Sequence, residues 1–317
     1  MKPAFSHPVW LLFACLWLTP VAAEDWILPK PTQISEHVWA WIGPYGGPSK
    51  DNNGYRMNLA FVVGQDAVAV LDSGYGPAMA NDMLRHIRLI SERPVRYVVN
   101  SNSQPHRFMG NGPFQAQGAT LVAGQEALPR MQASGDAFAR TIETTLELPD
   151  DSIATPPAPE KLVEDKLTLD LGGVSLEIVA VGQAHTPGSL IVHVPQDNLV
   201  YAGDVLYRGR LLSLVSEVSD LEGWLQAWER LEQYPDALFL PGHGEPGPLS
   251  DFAHGNRDYL TALLEHMQQA VDAGTDMQSA INAFDSSSWQ SLADFEELAG
   301  RNAHEAYRQR EAAAFGF

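Results

Sequence analysis

The chain has 317 residues, 45% hydrophobic and 19% charged, which is enough for a large core and an appendage. Its 26 glycines and 22 prolines follow no period and apolar residues are plentiful, so collagen-like, low-complexity and disordered readings fail. Lys+Arg 20 against Asp+Glu 39 leaves a net charge of −19. A surface that acidic repels phosphate backbones and anionic lipid, so nonspecific nucleic-acid binding and electrostatic membrane attachment are excluded.

Lys2 precedes an uninterrupted apolar run at 9–18, Pro20 breaks it, and Val21-Ala22-Ala23 sets small residues before Glu24. This is the layout of a cleavable secretory signal. The run is short of the ~20 residues that span a bilayer, and Phe13 is too bulky for a lipoprotein pattern at Cys15. Residues 1–23 are therefore expected to be removed, leaving a periplasmic or secreted chain with no stable membrane insertion. Cys15 is the single cysteine, so the mature chain has no disulfide, thiol nucleophile or Cys-ligated metal.

Residues 56–63 and 67–71 read as strands joined by a Gly64-Gln65-Asp66 turn. Met79, Met83, Leu84, Ile87 and Ile90 then recur at helical spacing, and 95–99 is a short buried strand. Strand, helix and strand predict a βαβ crossover. A strand at 120–123, a helix at 125–131 and a proline-rich loop at 150–160 follow. Strands are expected at 166–171, 175–181, 189–194 and 199–202, an amphipathic helix at 221–231, and a last strand at 237–240. This α/β pattern predicts two sheets covered by helices. From 251 onward the pattern is helical, with Tyr259, Leu260, Leu263, Leu264 and Met267 on one stripe. The expected division is a signal at 1–23, a main domain at 24–250 and a helical extension at 251–317 packed on it.

Ten histidines are present. His7 lies in the signal; His86, His266 and His304 fall in helical patterns, His193 in a strand, and His37 and His254 show no evident partner. All read as surface or packing residues. His106, His185, Asp204 and His243 differ, because each is expected in a loop at a C-terminal strand end, where α/β folds place sites. Neighbouring glycines allow tight turns there.

The order Asp72-Ser73-Gly74, then 100–111, then Ala184-His185-Thr186-Pro187-Gly188, then Ala202-Gly203-Asp204, then Pro241-Gly242-His243-Gly244 resembles the metallo-β-lactamase superfamily of zinc hydrolases over roughly 35–250. The tail, with Tyr259-Leu260 and Asn302-Ala-His-Glu-Ala-Tyr307, is similar to the periplasmic quinoprotein relay system zinc metallohydrolases and their sulfur-oxidation relatives. The resemblance implies an αββα sandwich with metal between the sheet edges, a small-molecule substrate, and a periplasmic quinoprotein partner.

The family pattern Asn-Thr-His-X-His-X-Asp-His is degenerate here. Its first His falls on Asn102, its second on Gln104, its Asp on His106 and its last His on Arg107. One metal position is thus reduced to His185, because neutral amides bind zinc weakly. The other can survive with His106 standing in for Asp beside Asp204 and His243. At most one Zn²⁺ is expected, on His106, Asp204 and His243 with His185 adjacent, and Asp204 carries the chemistry. Asn102, Gln104 and Arg107 are expected to meet substrate. Asp72 is expected behind the ligands, orienting one, and Tyr207 and Arg210 are candidate pocket residues. A permanent cation about 5 Å from Zn²⁺ costs roughly 7 kcal/mol at an effective dielectric near 20. Arg107 must therefore point away, pair with a carboxylate, or mark a site without metal. The competing reading is a non-catalytic relative in which Arg107 bridges to Asp204 and the fold binds a ligand or partner.

Overall fold

A computed structural model describes residues 26–316. The expected signal lies outside the described residues. β1 (Thr32–Gln33), β2 (Val38–Trp41), β3 (Leu59–Val63) and β4 (Val68–Leu71) form an antiparallel meander. α1 (Pro77–Ile90) crosses back, and β5 (Val95–Asn100) pairs parallel with β4, the expected βαβ unit. The short helices α2 (Pro105–Phe108) and α3 (Asn111–Gln115) lead to β6 (Thr120–Gly124). α4 (Leu128–Leu146) follows, and β7 (Lys161–Val163) completes a sheet ordered β1 to β7.

The second sheet is built from β8 (Lys166–Asp170), β9 (Ser175–Gly182), β10 (Ser189–Val194) and β11 (Leu199–Tyr207). α5 (Leu221–Leu231), capped by the Asp220 side chain, returns the chain to β12 (Leu238–His243), which runs parallel to β11. The order is β12-β11-β10-β9-β8. α6 (Tyr259–Asp272), α7 (Met277–Ala283) and α8 (Phe295–Phe315) end the chain. No helix among the described residues is long and apolar enough to cross a membrane.

Alternation along the strands makes the layers. In β3 and β4, Leu59, Phe61, Val68 and Val70 face α1 and α4, whereas Ala60, Val62, Ala69 and Leu71 face the other sheet. In β11, Leu199 and Tyr201 turn inward between the sheets, and Val200 and Ala202 turn out toward α5 and α6. The central strands β3, β4, β10 and β11 are covered on both faces and are apolar almost throughout, whereas β1 and β8 at the edges keep exposed polar residues.

Three boundaries depart from the sequence reading. α4 runs on to Leu146 through Ser134-Gly135, a pair that reads as a stop. Gly135 is needed there because a Cβ would come 2.8 Å from Thr155 of the proline-rich loop lying on the helix. β11 continues past Ala202 to Tyr207, with its register shifting at Gly203 (φ +50). β12 continues through Pro241 to His243, tolerated because β12 is an edge strand. Asp204 and His243 therefore sit inside strands rather than in the loops expected for them.

The stripe of α6 enters the same core as Trp224 and Trp228 of α5. Asn302 of α8 is fully buried; it accepts from Leu214 N (3.0 Å) and donates to Leu212 O (2.8 Å). Asn302→Leu leaves those backbone groups buried without partners, and a loss of about 1–3 kcal/mol in urea unfolding is expected. A loss below about 0.5 kcal/mol would mean that the extension merely rests on the main domain.

Candidate functional site

Arg107 is the hub of the site. α2 is a single turn opened by Pro105, and it aims the Arg107 side chain beneath the pocket, where the residue is 0% exposed. Its Nε donates to Asp204 Oδ2 at 2.9 Å, and Nη2 donates to Asp204 Oδ1 and to Gly242 O (3.1 Å). Nη1 donates to Asn58 O (2.8 Å), Asp72 Oδ2 (3.1 Å) and Tyr201 Oη (3.1 Å). Every N–H of the fork is used, which an ammonium could not reproduce. Of the options for Arg107, the structure takes the carboxylate pair, and the partner is Asp204, the bridge that the competing non-catalytic reading expected.

Asp72 closes β4 with φ +66, uncommon for a residue with a side chain. Ser101 N (2.6 Å), Ser101 Oγ (2.7 Å) and Tyr201 Oη (2.6 Å) all donate to it beside Arg107. Asp72 thus braces Arg107 and Tyr201, in place of the expected role of orienting a ligand. Asn102 also departs from expectation. Its Nδ2 donates to Asp204 Oδ2 (2.9 Å) and its Oδ1 accepts from Gln104 N (2.8 Å), so it fixes the carboxylate and does not face a substrate. Gln104 does line the cavity.

Three imidazoles surround Asp204 on the cavity side. His106 Nε2 lies 3.2 Å from Oδ2, His243 Nε2 3.3 Å from Oδ1, and His185 Nε2 3.9 Å from Oδ2. One ligand atom each from His106, Asp204 and His243 falls within a 4.8 Å cluster. Zinc bonds of 2.0–2.1 Å imply tetrahedral edges of roughly 3.4 Å, which His106 and His243 each meet against a different oxygen of Asp204. His185 stands just outside this triple, and its Nδ1 is buried with no hydrogen-bond partner among the described residues.

His243 gives the sharpest test of fit. Its Nδ1 is 3.0 Å from Arg56 O, an acceptor, so Nδ1 carries the proton. Burial, aided by Arg210 and Arg107, pulls this imidazole well below its ordinary pKa, while its contact with Asp204 pushes the other way. Its Nε2 faces a carboxylate oxygen at 3.3 Å. That contact needs a proton on Nε2 or a metal ion between the two atoms. Burial and Arg107 likewise pull His106 down to about 3, and burial, Arg107 and Arg210 pull His185 down to about 4. Burial alone would raise Asp204, but Arg107 and His106 outweigh it and hold the carboxyl well below its usual range. Neutral imidazoles and an ionised carboxylate are the ligand forms. A second ion does not fit, because beside His185 the other two positions are Asn102, whose amide is spent on Asp204 and Gln104 N, and the neutral amide Gln104.

The cavity above these groups is about 450 Å³. Tyr207, stacked on His243 at 4.9 Å, lines it together with Arg210. The sequence reading missed Asn58, whose Nδ2 donates to Pro241 O (2.8 Å) and Gly244 O (2.7 Å) and ties β3 to the β12 turn. It also missed Arg56 and Arg130 on the cavity wall. His37 and His254, read as lacking partners, bond Asp197 and Ser288 O.

Residues 54–243 match the family model described as the metallo-beta-lactamase superfamily. The chain belongs to that superfamily. A metallo-beta-lactamase type 2 of Bacteroides fragilis is 28% identical over 248 residues, covering 76% of this chain and 84% of that protein. The human acyl-coenzyme A thioesterase MBLAC2 is 25% identical over 217 residues, covering 60% and 74%. Among solved structures, a metallo-beta-lactamase from Pontibacter korlensis shares the superfamily fold, with a TM-score of 0.56 at 23% identity over 73% of this chain and 98% of that one.

Proposed function

We propose that this chain is a single-ion, metal-dependent hydrolase of a small molecule, exported to the periplasm. One observation carries the reading: one ligand atom each from His106, Asp204 and His243 converges within 4.8 Å beside the cavity that the two imidazoles line. His106, Asp204 and His243 would hold the ion, with His185 adjacent. A divalent ion there supplies a Lewis acid and lowers the pKa of bound water toward neutrality. Arg107 and Asn102 fix the Asp204 carboxylate, Arg56 O fixes the His243 tautomer, and Tyr207 holds its ring plane. The B. fragilis and human relatives, named as a lactamase and a thioesterase, support hydrolysis of an acyl bond. Export rests on the segment at 1–23 and a quinoprotein partner on the likeness of the tail.

A second reading has its own observation. Arg107 donates to both oxygens of Asp204, so the guanidinium neutralises that carboxylate in place of a metal, and the fold would then bind a ligand or partner without catalysis. Assays with a chromogenic β-lactam and an acyl-coenzyme A separate the two. The hydrolase reading expects turnover of at least one substrate that requires added zinc and falls roughly a hundredfold or more in His243→Ala. Turnover indifferent to zinc and to His243 would contradict it. Absence of both zinc and turnover would favour the second reading.

A further inference from the structure

The cavity wall opposes the charge of the whole molecule. The chain carries −19, yet Arg56, Arg130, Arg210 and Arg301 line this cavity against one acid, Glu297. Three of the four are under-used. The Nε atoms of Arg56 and Arg130, and Nη1 of Arg210, are buried with no hydrogen-bond partner among the described residues. Arg210 spends its Nε on Asp294 at 2.5 Å, and Arg301 donates to Ser213 Oγ at 2.6 Å. No side-chain hydrogen bond or ion pair ties Arg56 to any described residue; Arg210 acts on it as a like charge, and Tyr207, Asp204 and Asp294 act on it favourably from a distance. Like charges with idle donors, held together at a half-buried wall, are costly unless something anionic joins them.

We propose that the cavity takes a small molecule bearing a multiply charged oxyanion group, gripped by Arg56 and Arg210, with Arg130 on the same cavity wall. This rests on the hydrolase reading for the fate of the ligand, but not for its binding. The guanidinium fork matches the paired oxygens of a phosphate, sulfate or carboxylate. His106, His185 and His243 line the same cavity, so an anion on the arginines leaves the rest of the molecule to extend over the imidazoles. The selecting element is charge at one end of the substrate, with the bond to be cleaved at the other. A volume of about 450 Å³ suits a metabolite-sized ligand and not a polymer.

Calorimetric titration with inorganic pyrophosphate at low ionic strength tests this. The protein is first stripped of metal with a chelator and then dialysed free of it, so that the arginines alone are read; the as-purified chain is titrated in parallel. One site per chain is expected, weakened about tenfold or more in Arg56→Ala and in Arg210→Ala, with Arg56→Lys recovering part of the loss. Zinc content should be unchanged in Arg56→Ala, whereas His243→Ala should lose zinc and keep pyrophosphate. Loss of zinc binding in the parent would thus sink the hydrolase reading and leave this one standing. Arg56→Ala should also melt no lower than the parent, because its guanidinium holds nothing in the fold. No pyrophosphate binding, binding indifferent to both arginines, or a large drop in melting temperature for Arg56→Ala would each overturn the proposal.

Discussion

Arg107→Met is expected to destabilise the chain by about 3–5 kcal/mol, the usual cost of leaving a buried charge without its partner. Asp204 and Asp72 are both buried, and both depend on this guanidinium. Methionine fills much of the space but returns none of the donors, so Asn58 O, Gly242 O and Tyr201 Oη lose theirs as well. Arg107→Lys should rescue little, since one ammonium cannot reach both Asp204 oxygens and the Asn58 side at once. Adding Asp204→Asn to Arg107→Met should cost far less than the two single losses together, because the second change removes the charge the first left stranded. Urea unfolding at neutral pH, followed by two probes, measures all four chains. A loss below about 1 kcal/mol for Arg107→Met would mean that the guanidinium is not the organising charge of the site.

Gly242→Ala is expected to be the other severe change, at about 3 kcal/mol or more. A Cβ on Gly242 would lie 2.4 Å from Asp204 Oδ1, 2.6 Å from the Gly203 carbonyl carbon and 2.7 Å from Arg107 Nη2. Two of those atoms belong to the central ion pair and the third is backbone, so there is no flexible side-chain end to swing aside. The fork must separate from the carboxylate, or β12 must leave β11. By contrast, Gly274→Ala meets nothing within 4 Å and carries only the strain of φ +66. Its loss should be smaller, within about 2 kcal/mol. Thermal unfolding of the two variants side by side gives the comparison. Equal losses would show that the close approach of β12 to Asp204 is looser than these distances.

Two sheets covered by helices were legible because short apolar runs bounded by turn residues alternate with stripes on the 3.6 period; the αββα order came from the resemblance of the motifs. α5 fell where its amphipathic pattern put it, bounded by the Asp220 cap. The ends of β11 and β12 were not legible. Gly203 and Pro241 read as terminators, yet they are paired with each other across the two strands, one absorbing the register shift and the other sitting on an edge. In the site, the degenerate positions were visible as residue types, and the options for Arg107 could be enumerated from charge alone. Which option held could not be read, because it depends on Tyr201, Asn58 and Gly242, which lie far from Arg107 in sequence. Arg56 and Arg130 carried no signal at all. Each is a lone arginine in an unremarkable stretch, and only the fold brings them to one wall.

One ion belongs on His106, Asp204 and His243, and the position beside His185 is left without further ligands by Asn102 and Gln104, while the Arg107 guanidinium holds the far side of Asp204. Elemental analysis of the mature chain, equilibrated with zinc and then dialysed against metal-free buffer, tests it most directly. The account predicts one zinc per chain, lost in His243→Ala and kept in Arg56→Ala. Two zinc ions per chain would contradict the loss of ligands at Asn102 and Gln104, and none would favour the non-catalytic reading in which Arg107 alone pairs Asp204.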